Sequence, residues 1–240
     1  MPKVDIWQWS LDIPEAQSLR LSRCLSVDEI QRAKRFVKPR DKYMYIAGRA
    51  RLREILAQYL GVTAESVAID YGPNGKPMLN AGPHFNLSHS DGRAILAVCE
   101  NTGIGIDIEQ IRPIEDAVAK HHFSPAEYAE LSALPRTNWL QGFFQCWTRK
   151  EAVLKMLGHG LFMPLDSFDV TLAPGGSVQL TRIEGDNPAR WSLVHLAPAA
   201  GWVGALALRD AVEPIELVWR ATDLDPINTP QKVTHTNDQT

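Results

Sequence analysis

Two acids stand two residues apart in an otherwise apolar run, Gly103-Ile104-Gly105-Ile106-Asp107-Ile108-Glu109, and their types and spacing suit chemistry. On a strand, alternate side chains face opposite ways, so Asp107 and Glu109 share one face while Ile106 and Ile108 enter a core. At about 5–7 Å the two carboxylates repel unless something positive stands between them, and a hard divalent cation with oxygen ligands meets that need. The alternative is a half-buried strand with a solvated acidic face. A third acid, Glu151, lies in a helical stretch from Phe143 to Leu157, where Trp147, Glu151 and Lys155 fall four apart on one stripe. An acid and a base at that spacing commonly form only an exposed ion pair. Trp147 on the same stripe is rarely left in water, which puts Glu151 at the rim of buried surface, within reach of the other two acids.

Asn86-Leu87-Ser88-His89-Ser90, followed by Asp91-Gly92, brings serine, histidine and aspartate close together in sequence. A hydrolytic triad is nevertheless disfavoured, because no Gly-x-Ser-x-Gly turn presents a nucleophile. A histidine beside a phosphate fits better, since Lys76-Pro77 and a basic block lie in the same half. From Arg20 to Arg53 there are eleven lysines and arginines against three acids, although the whole chain carries a formal charge of -3. Such a block suggests an anionic ligand. Mild overall acidity and the lack of interleaved stacking aromatics argue against nucleic acid.

The 240 residues, 45% hydrophobic and 22% charged, describe an ordinary globular chain, with no apolar run of membrane-spanning length. The first residues lack the pattern of a signal peptide, so a cytoplasmic location is expected. Three widely spaced cysteines, Cys24, Cys99 and Cys146, fit neither a disulfide framework nor a zinc site and are expected to be reduced.

These residues need elements to carry them. Val4 to Trp9 reads as a strand. Ser26 and Glu29 form a capping box that opens a helix, which Pro39 interrupts; a second helix runs from near Asp41 to Leu60 and stops at Gly61. Val67 to Tyr71 is a short strand before the turn Gly72-Pro73-Asn74-Gly75. His84–Ser90 and Arg93–Glu100 form a hairpin through Asp91-Gly92. The second half repeats this order: Ala119 to Phe123 echoes Ala33 to Phe36, Trp147 to Gly158 echoes Arg49 to Gly61, and Trp191 to Leu208 echoes the hairpin. The expected fold is α+β, two similar α/β lobes in one chain (a pseudo-dimer) with the active site in the cleft between them. The boundaries are 1–102, 103–221, and a polar, disordered tail from 222 to 240.

Phe85-Asn86-Leu87-Ser88-His89-Ser90, Gly105-Ile106-Asp107-Ile108-Glu109 and Trp147-Thr148-Arg149-Lys150-Glu151-Ala152-Val153-Leu154-Lys155, in this order and spacing, resemble the three signature motifs of the 4'-phosphopantetheinyl transferases. The match is to the two-lobed surfactin-type members, covers about residues 1 to 220, and has the Trp/Lys-Glu-Ala form of the third motif. The resemblance implies transfer of the phosphopantetheine arm of coenzyme A to a serine of an apo acyl or peptidyl carrier protein, releasing adenosine 3',5'-bisphosphate. It makes Asp107, Glu109 and Glu151 the magnesium ligands, with Mn2+ an alternative ion, and Lys155 the lysine at the pyrophosphate. Lys76, Pro77, Ser88 and His89 would line the nucleotide and its 3'-phosphate, and Lys150 would belong to the same binding set. Met44 departs from the basic residue common there, so phosphate contacts from that helix would pass to Arg40, Arg49 or Arg53.

The nucleophile in this chemistry is the partner's serine hydroxyl. Glu151 is the candidate base, with Glu109 the alternative, and Lys155 would stabilise or protonate the departing phosphate. A monomer with no nucleic-acid or membrane partner is expected. Lys120 to Phe144, with Phe123, Leu131 and Leu134, is the expected docking face for an acidic helical carrier protein. A non-catalytic binder would not need crowded carboxylates, and a nucleoside-triphosphate phosphotransferase would need a Gly-rich phosphate loop that is absent from the sequence.

Overall fold

The computed structural model describes residues 2–158, 163–211 and 214–220. The expected tail, 222 to 240, lies outside them. Four strands form one sheet: β1 (Lys3–Ser10), β4 (His84–Ser90), β5 (Arg93–Cys99) and β11 (Glu216–Arg220), in the order β11-β1-β5-β4. Three form another, β6 (Ile104–Gln110), β10 (Trp202–Arg209) and β9 (Trp191–Leu196), in the order β6-β10-β9. Two short hairpins pair β2 (Asp70–Tyr71) with β3 (Pro77–Met78) and β7 (Phe168–Val170) with β8 (Leu180–Ile183). The fold is therefore mixed α and β.

Six α-helices accompany the strands among the described residues. They are α1 (Glu15–Leu21), α2 (Val27–Ala33), α3 (Pro39–Leu60), α4 (Asp116–His122), α5 (Pro125–Ala133) and α6 (Arg136–Leu157). Ser26 and Glu29 close the expected capping box on α2, which ends at Ala33, well before Pro39. Pro39 therefore starts α3 rather than interrupting a helix; its fixed φ suits the first turn, where its missing N–H goes unneeded. Gly61, at φ 65°, stops α3, and Gly158, at φ 70°, stops α6. Asp91 (φ 37°) and Gly92 (φ 76°) make the two-residue hairpin turn between Ser90 and Arg93.

Strand alternation sorts the core. Ile95, Ala97, Ile104, Ile106, Ile108, Leu206 and Leu208 pack with Val4 and Ile6 into a core shared by both sheets. The opposite face of the first sheet, with Ala94, Leu96 and Val98, packs on α3 through Leu52, Ile55 and Leu56. The opposite face of the second sheet packs on α6: Ala205 and Ala207 meet Phe143, Phe144, Ala152 and Val153. Helices thus lie on the outer faces, and Asp107 and Glu109, opposite in parity to the three isoleucines, face α6.

Among the elements the sequence reading missed are α1, β3, α5, the β7–β8 hairpin and β11. α5 opens with Ser124 and Glu127 in a capping box, the same signal that marks α2. β7–β8 is a short hairpin joined by a longer loop. β11 pairs parallel with β1, Lys3 opposite Glu216, across nearly the whole chain, a contact with no local signature.

Candidate active site

The site begins with a close approach. A Cβ on Gly105 would stand 2.0 Å from Ala152 O and 2.4 Å from Met156 N, so only glycine lets α6 lie this near β6. One residue pair further along β6, Asp107 is 4% exposed, and Lys155 from α6 reaches it, Nζ to Oδ1 at 2.6 Å. Glu151, one turn earlier on α6, is half-buried on the same side. Trp147 continues that stripe, packed on Phe143 at 5.9 Å between ring centres and edge-on to His122 at 5.5 Å.

β4 supplies the second wall. β6 is an edge strand, and side chains from β4 cover the backbone donors it leaves free. Asn86 Oδ1 accepts from Ile106 N at 2.8 Å, and Ser88 Oγ accepts from Ile108 N at 3.3 Å. Ser88 Oγ also donates to Asp107 Oδ1 at 2.7 Å and accepts from Lys155 Nζ at 2.8 Å. Ser90 Oγ donates to Glu109 Oε2 at 2.7 Å, an atom that Arg112 Nη1 also approaches at 2.7 Å. Asn86, Ser88 and Ser90 are every second residue of β4, which matches the two-residue period of β6. Sequence reasoning singled out Ser88 alone. The alternation Asn-x-Ser-x-Ser was the available signal for Asn86 and Ser90; Arg112 had none.

Burial and like charge dominate the electrostatics. Desolvation pushes Asp107 above the usual carboxylate range, and the charge and hydrogen bond of Lys155, with the bond from Ser88, only partly offset it. Glu151 is also raised, first by desolvation and then by repulsion from Asp107, with Glu109 adding to it. His89 is lowered by desolvation and then by the Lys155 charge, so it favours the neutral imidazole.

Among the described residues no group of three or more His, Cys, Asp or Glu side chains stands together as a metal site. The donor chemistry still fits a hard divalent cation. Asp107 Oδ2 is buried without a hydrogen-bond partner, Glu109 lies two residues along the same face, and Glu151 is raised by desolvation first and then by the Asp107 charge, so a cation placed among them would relieve both costs.

A pocket of about 280 Å3 opens beside this cluster, lined by Lys76, Pro77, Asn86, Glu151, Lys155 and Gly158 among others. It therefore gathers Lys76, Pro77, Glu151 and Lys155 from the expected site. Ser88 and Asp107 stand behind Lys155. Four residues expected to contact the ligand pair instead with acids of the chain itself. Arg53 Nε donates to Glu29 Oε2 at 2.6 Å, and Arg49 Nη2 lies 2.6 Å from Glu29 Oε1, so both guanidiniums are spent joining α3 to α2. Lys150 is fully buried, 2.8 Å from Glu127 Oε2, and also donates to Leu165 O and Phe168 O. Arg40 pairs with Asp12 at the surface, 3.0 Å apart. Phe123 and Leu131, expected on an exposed docking face, are 4% and 0% exposed and belong to the core. Their apolar character reflects packing between α4, α5 and α6.

The carboxylates, lysine and serines of this cluster come from β4, β6 and α6, and the stretches that carry them fall within regions of the chain that resemble known proteins. Residues 103–207 match the model of the 4'-phosphopantetheinyl transferase superfamily, and residues 8–101 match the model described as 4'-phosphopantetheinyl transferase, N-terminal. The chain belongs to the 4'-phosphopantetheinyl transferase superfamily. It is 41% identical over 213 residues to 4'-phosphopantetheinyl transferase HetI of a Nostoc species, covering 86% of this chain and 87% of that one. It is 28% identical over 208 residues to 4'-phosphopantetheinyl transferase Sfp of Bacillus subtilis, covering 86% and 92%. A third relative, 4'-phosphopantetheinyl transferase psf-1 of Bacillus pumilus, is 30% identical over 211 residues, covering 87% and 90%. Among the described residues no helix is long and apolar enough to cross a membrane.

Proposed function

We propose that this protein transfers the 4'-phosphopantetheine arm of coenzyme A to a serine hydroxyl of an apo carrier protein and releases adenosine 3',5'-bisphosphate. The observation that carries this reading is the convergence of Ser88, Asp107 and Lys155, from three separate elements, with Lys155 lining a pocket that Glu151 also lines and the other two directly behind it. Family membership over both halves of the chain supports it. In this reading the chain is two similar lobes, 1–102 and 103–221, with the reaction in the cleft between them, acting as a cytoplasmic monomer.

The carrier's serine oxygen forms a bond to the β-phosphorus of the pyrophosphate, and the bond from that phosphorus to the bridging oxygen breaks. The leaving group is the 5'-phosphate of adenosine 3',5'-bisphosphate. The serine proton passes to a carboxylate. Glu151 is the better acceptor, because desolvation and its acidic neighbours raise its proton affinity above that of an ordinary glutamate. Glu109, bonded by Ser90 and Arg112, is held as an acceptor of hydrogen bonds and is the second choice. Lys155 Nζ bridges Asp107 and Ser88 and lines the pocket, so it can turn one N–H to the leaving phosphate oxygen. Magnesium held by Asp107, Glu109 and Glu151 would neutralise charge that develops on the pyrophosphate. Lys76, Pro77 and His89 would border the nucleotide.

The test is direct. Incubation with coenzyme A, magnesium and apo carrier proteins of fatty-acid, polyketide and peptide type should add the mass of the phosphopantetheine arm to at least one. Absence of any gain across all three types sinks the reading. Asp107→Ala should lower the rate by about 100-fold or more, the scale of losing a charge-positioning group at a reacting phosphate; unchanged activity would remove Asp107 from the site.

A further inference from the structure

The turn between β2 and β3 reaches beyond its own hairpin. Lys76 Nζ donates to Ile104 O, at the start of β6, at 3.1 Å and to Met156 O, in the last turn of α6, at 3.2 Å. Asn74 Nδ2 donates to Gly158 O at 2.9 Å. The alkyl chain of Lys76 lies against the helix stop, its Cδ 3.5 Å from where a Cβ on Gly158 would stand.

Helices end with carbonyls that have no partner within the helix. Here Gly158 N meets Leu154 O at 2.9 Å, and Lys76 meets Met156 O from outside. An ammonium at this end also faces the negative pole of the helix dipole. The two backbones that Lys76 joins are the ones carrying the site. Ile104 precedes Asp107 by three residues on β6, and Met156 follows Lys155 directly on α6. An ammonium has three hydrogens, and two of these are spent on protein carbonyls. Burial pulls Lys76 down to about 8, the desolvation of a cation matched by carbonyl oxygens rather than by a carboxylate.

We infer that Lys76 is a positioning residue for the transfer reaction: it staples the start of β6 to the end of α6 and so sets Asp107 against Glu151 and Lys155. This rests on the proposed transfer activity. It assigns the Lys76 side chain to the protein's own backbone rather than to a phosphate of coenzyme A.

The experiment compares wild type with Lys76→Met, Lys76→Arg and Asn74→Ala, using coenzyme A and 3'-dephospho-coenzyme A with an apo carrier protein. Hydrogen exchange of the α6 amides at 152–157 is followed in parallel. In Lys76→Met, kcat should fall about tenfold or more, with KM for coenzyme A changing less than about threefold, since a misplaced catalytic pair costs turnover rather than ground-state binding. The loss should be the same with both coenzymes, and exchange at 152–157 should quicken. Lys76→Arg should recover much of kcat, because a guanidinium can donate to both carbonyls. Asn74→Ala should show a smaller loss of the same kind. A rise in KM with kcat unchanged, vanishing on 3'-dephospho-coenzyme A, would overturn the inference and make Lys76 a ligand contact. Unaltered kcat and exchange would also overturn it. Should Lys76→Met fail to fold, Asn74→Ala decides: wild-type kcat and exchange in that variant count against the staple. Lack of transfer by the wild type itself sinks the activity reading instead, while exchange at 152–157 still tests the staple.

Discussion

Ser88 Oγ on β4 donates to Asp107 Oδ1 on β6 at 2.7 Å, and this bond ties the first sheet to the second at the acid that Lys155 also holds. Asn86, Ser88 and Asp107 are buried, while Ser90 and Glu109 at the end of the row are half-buried. The two-residue periods of the strands interlock, so the carboxylates are aimed by the first sheet and approached by the helix on the second.

Replacing Gly105 by alanine tests how close α6 must lie. The new Cβ would meet Ala152 O at 2.0 Å, backbone that cannot rotate away, so the helix must move off β6. Overpacking of this kind costs about 1–3 kcal/mol or more. Gly105→Ala should lower Tm and carrier modification together. Normal activity with a lowered Tm would separate the helix position from the chemistry.

Glu151→Gln should stabilise the fold while impairing transfer. The folded protein raises this pKa, through desolvation first and then through Asp107, so it binds the proton more tightly than the unfolded chain does. Stability therefore falls as pH rises from the ordinary carboxylate range through the raised value, and levels off above it. With a chelator present, melts near pH 7.5 should show Glu151→Gln above wild type, with about 2–4 °C for each kcal/mol in a chain of this size. Near pH 4 the difference should shrink. An equal shift at both pH values would show that ionisation is not the cause.

Lys150 separates a ligand contact from a structural pair. It is fully buried against Glu127, which also accepts from Val170 N at 2.8 Å and caps α5. Lys150→Met leaves Glu127 buried without its cation, at a cost of about 3–5 kcal/mol. Denaturant unfolding should show that loss, while any folded fraction keeps a near-normal KM for coenzyme A. A raised KM at unchanged stability would return Lys150 to the binding set.

Glu29 offers the opposite sign of pH dependence. Burial opposes its ionisation, but the Ser26 backbone bond, the Arg49 charge and the bonds from Arg53 and Arg49 outweigh it and hold its pKa below the usual value. Its contribution is present above the unfolded pKa and is lost as pH falls through the lowered one. Glu29→Gln should cost stability at pH 7, by about 3 kcal/mol for a broken buried pair, and progressively less on acidification. A cost independent of pH would assign the loss to packing.

Much of the fold was legible because its signals are local. The hairpin of β4 and β5 follows from Asp91-Gly92 between apolar runs, and α2 from a capping box. Glycine stops mark the ends of α3 and α6. The site was legible to the extent that period alone places residues on faces: Asp107 with Glu109, and Glu151 with Lys155 above Trp147. The arginines were harder, because a basic block has the same composition whether it meets a ligand or its own acids. Glu29 lies 20 and 24 residues from Arg49 and Arg53, and no sequence pattern couples them.

By itself, then, the amino-acid sequence determined the motifs, the parity of each acid on its strand, the helical stripe, and the family to which they belong. These depend on backbone geometry repeated every two or 3.6 residues. Only the tertiary structure decided which charged groups face the pocket and which face each other. It turned Arg49, Arg53 and Lys150 inward onto Glu29 and Glu127, and Lys76 onto the carbonyls of Ile104 and Met156. The physical reason is that a buried charge must find its partner across space, and the distance along the chain sets no limit on where that partner lies.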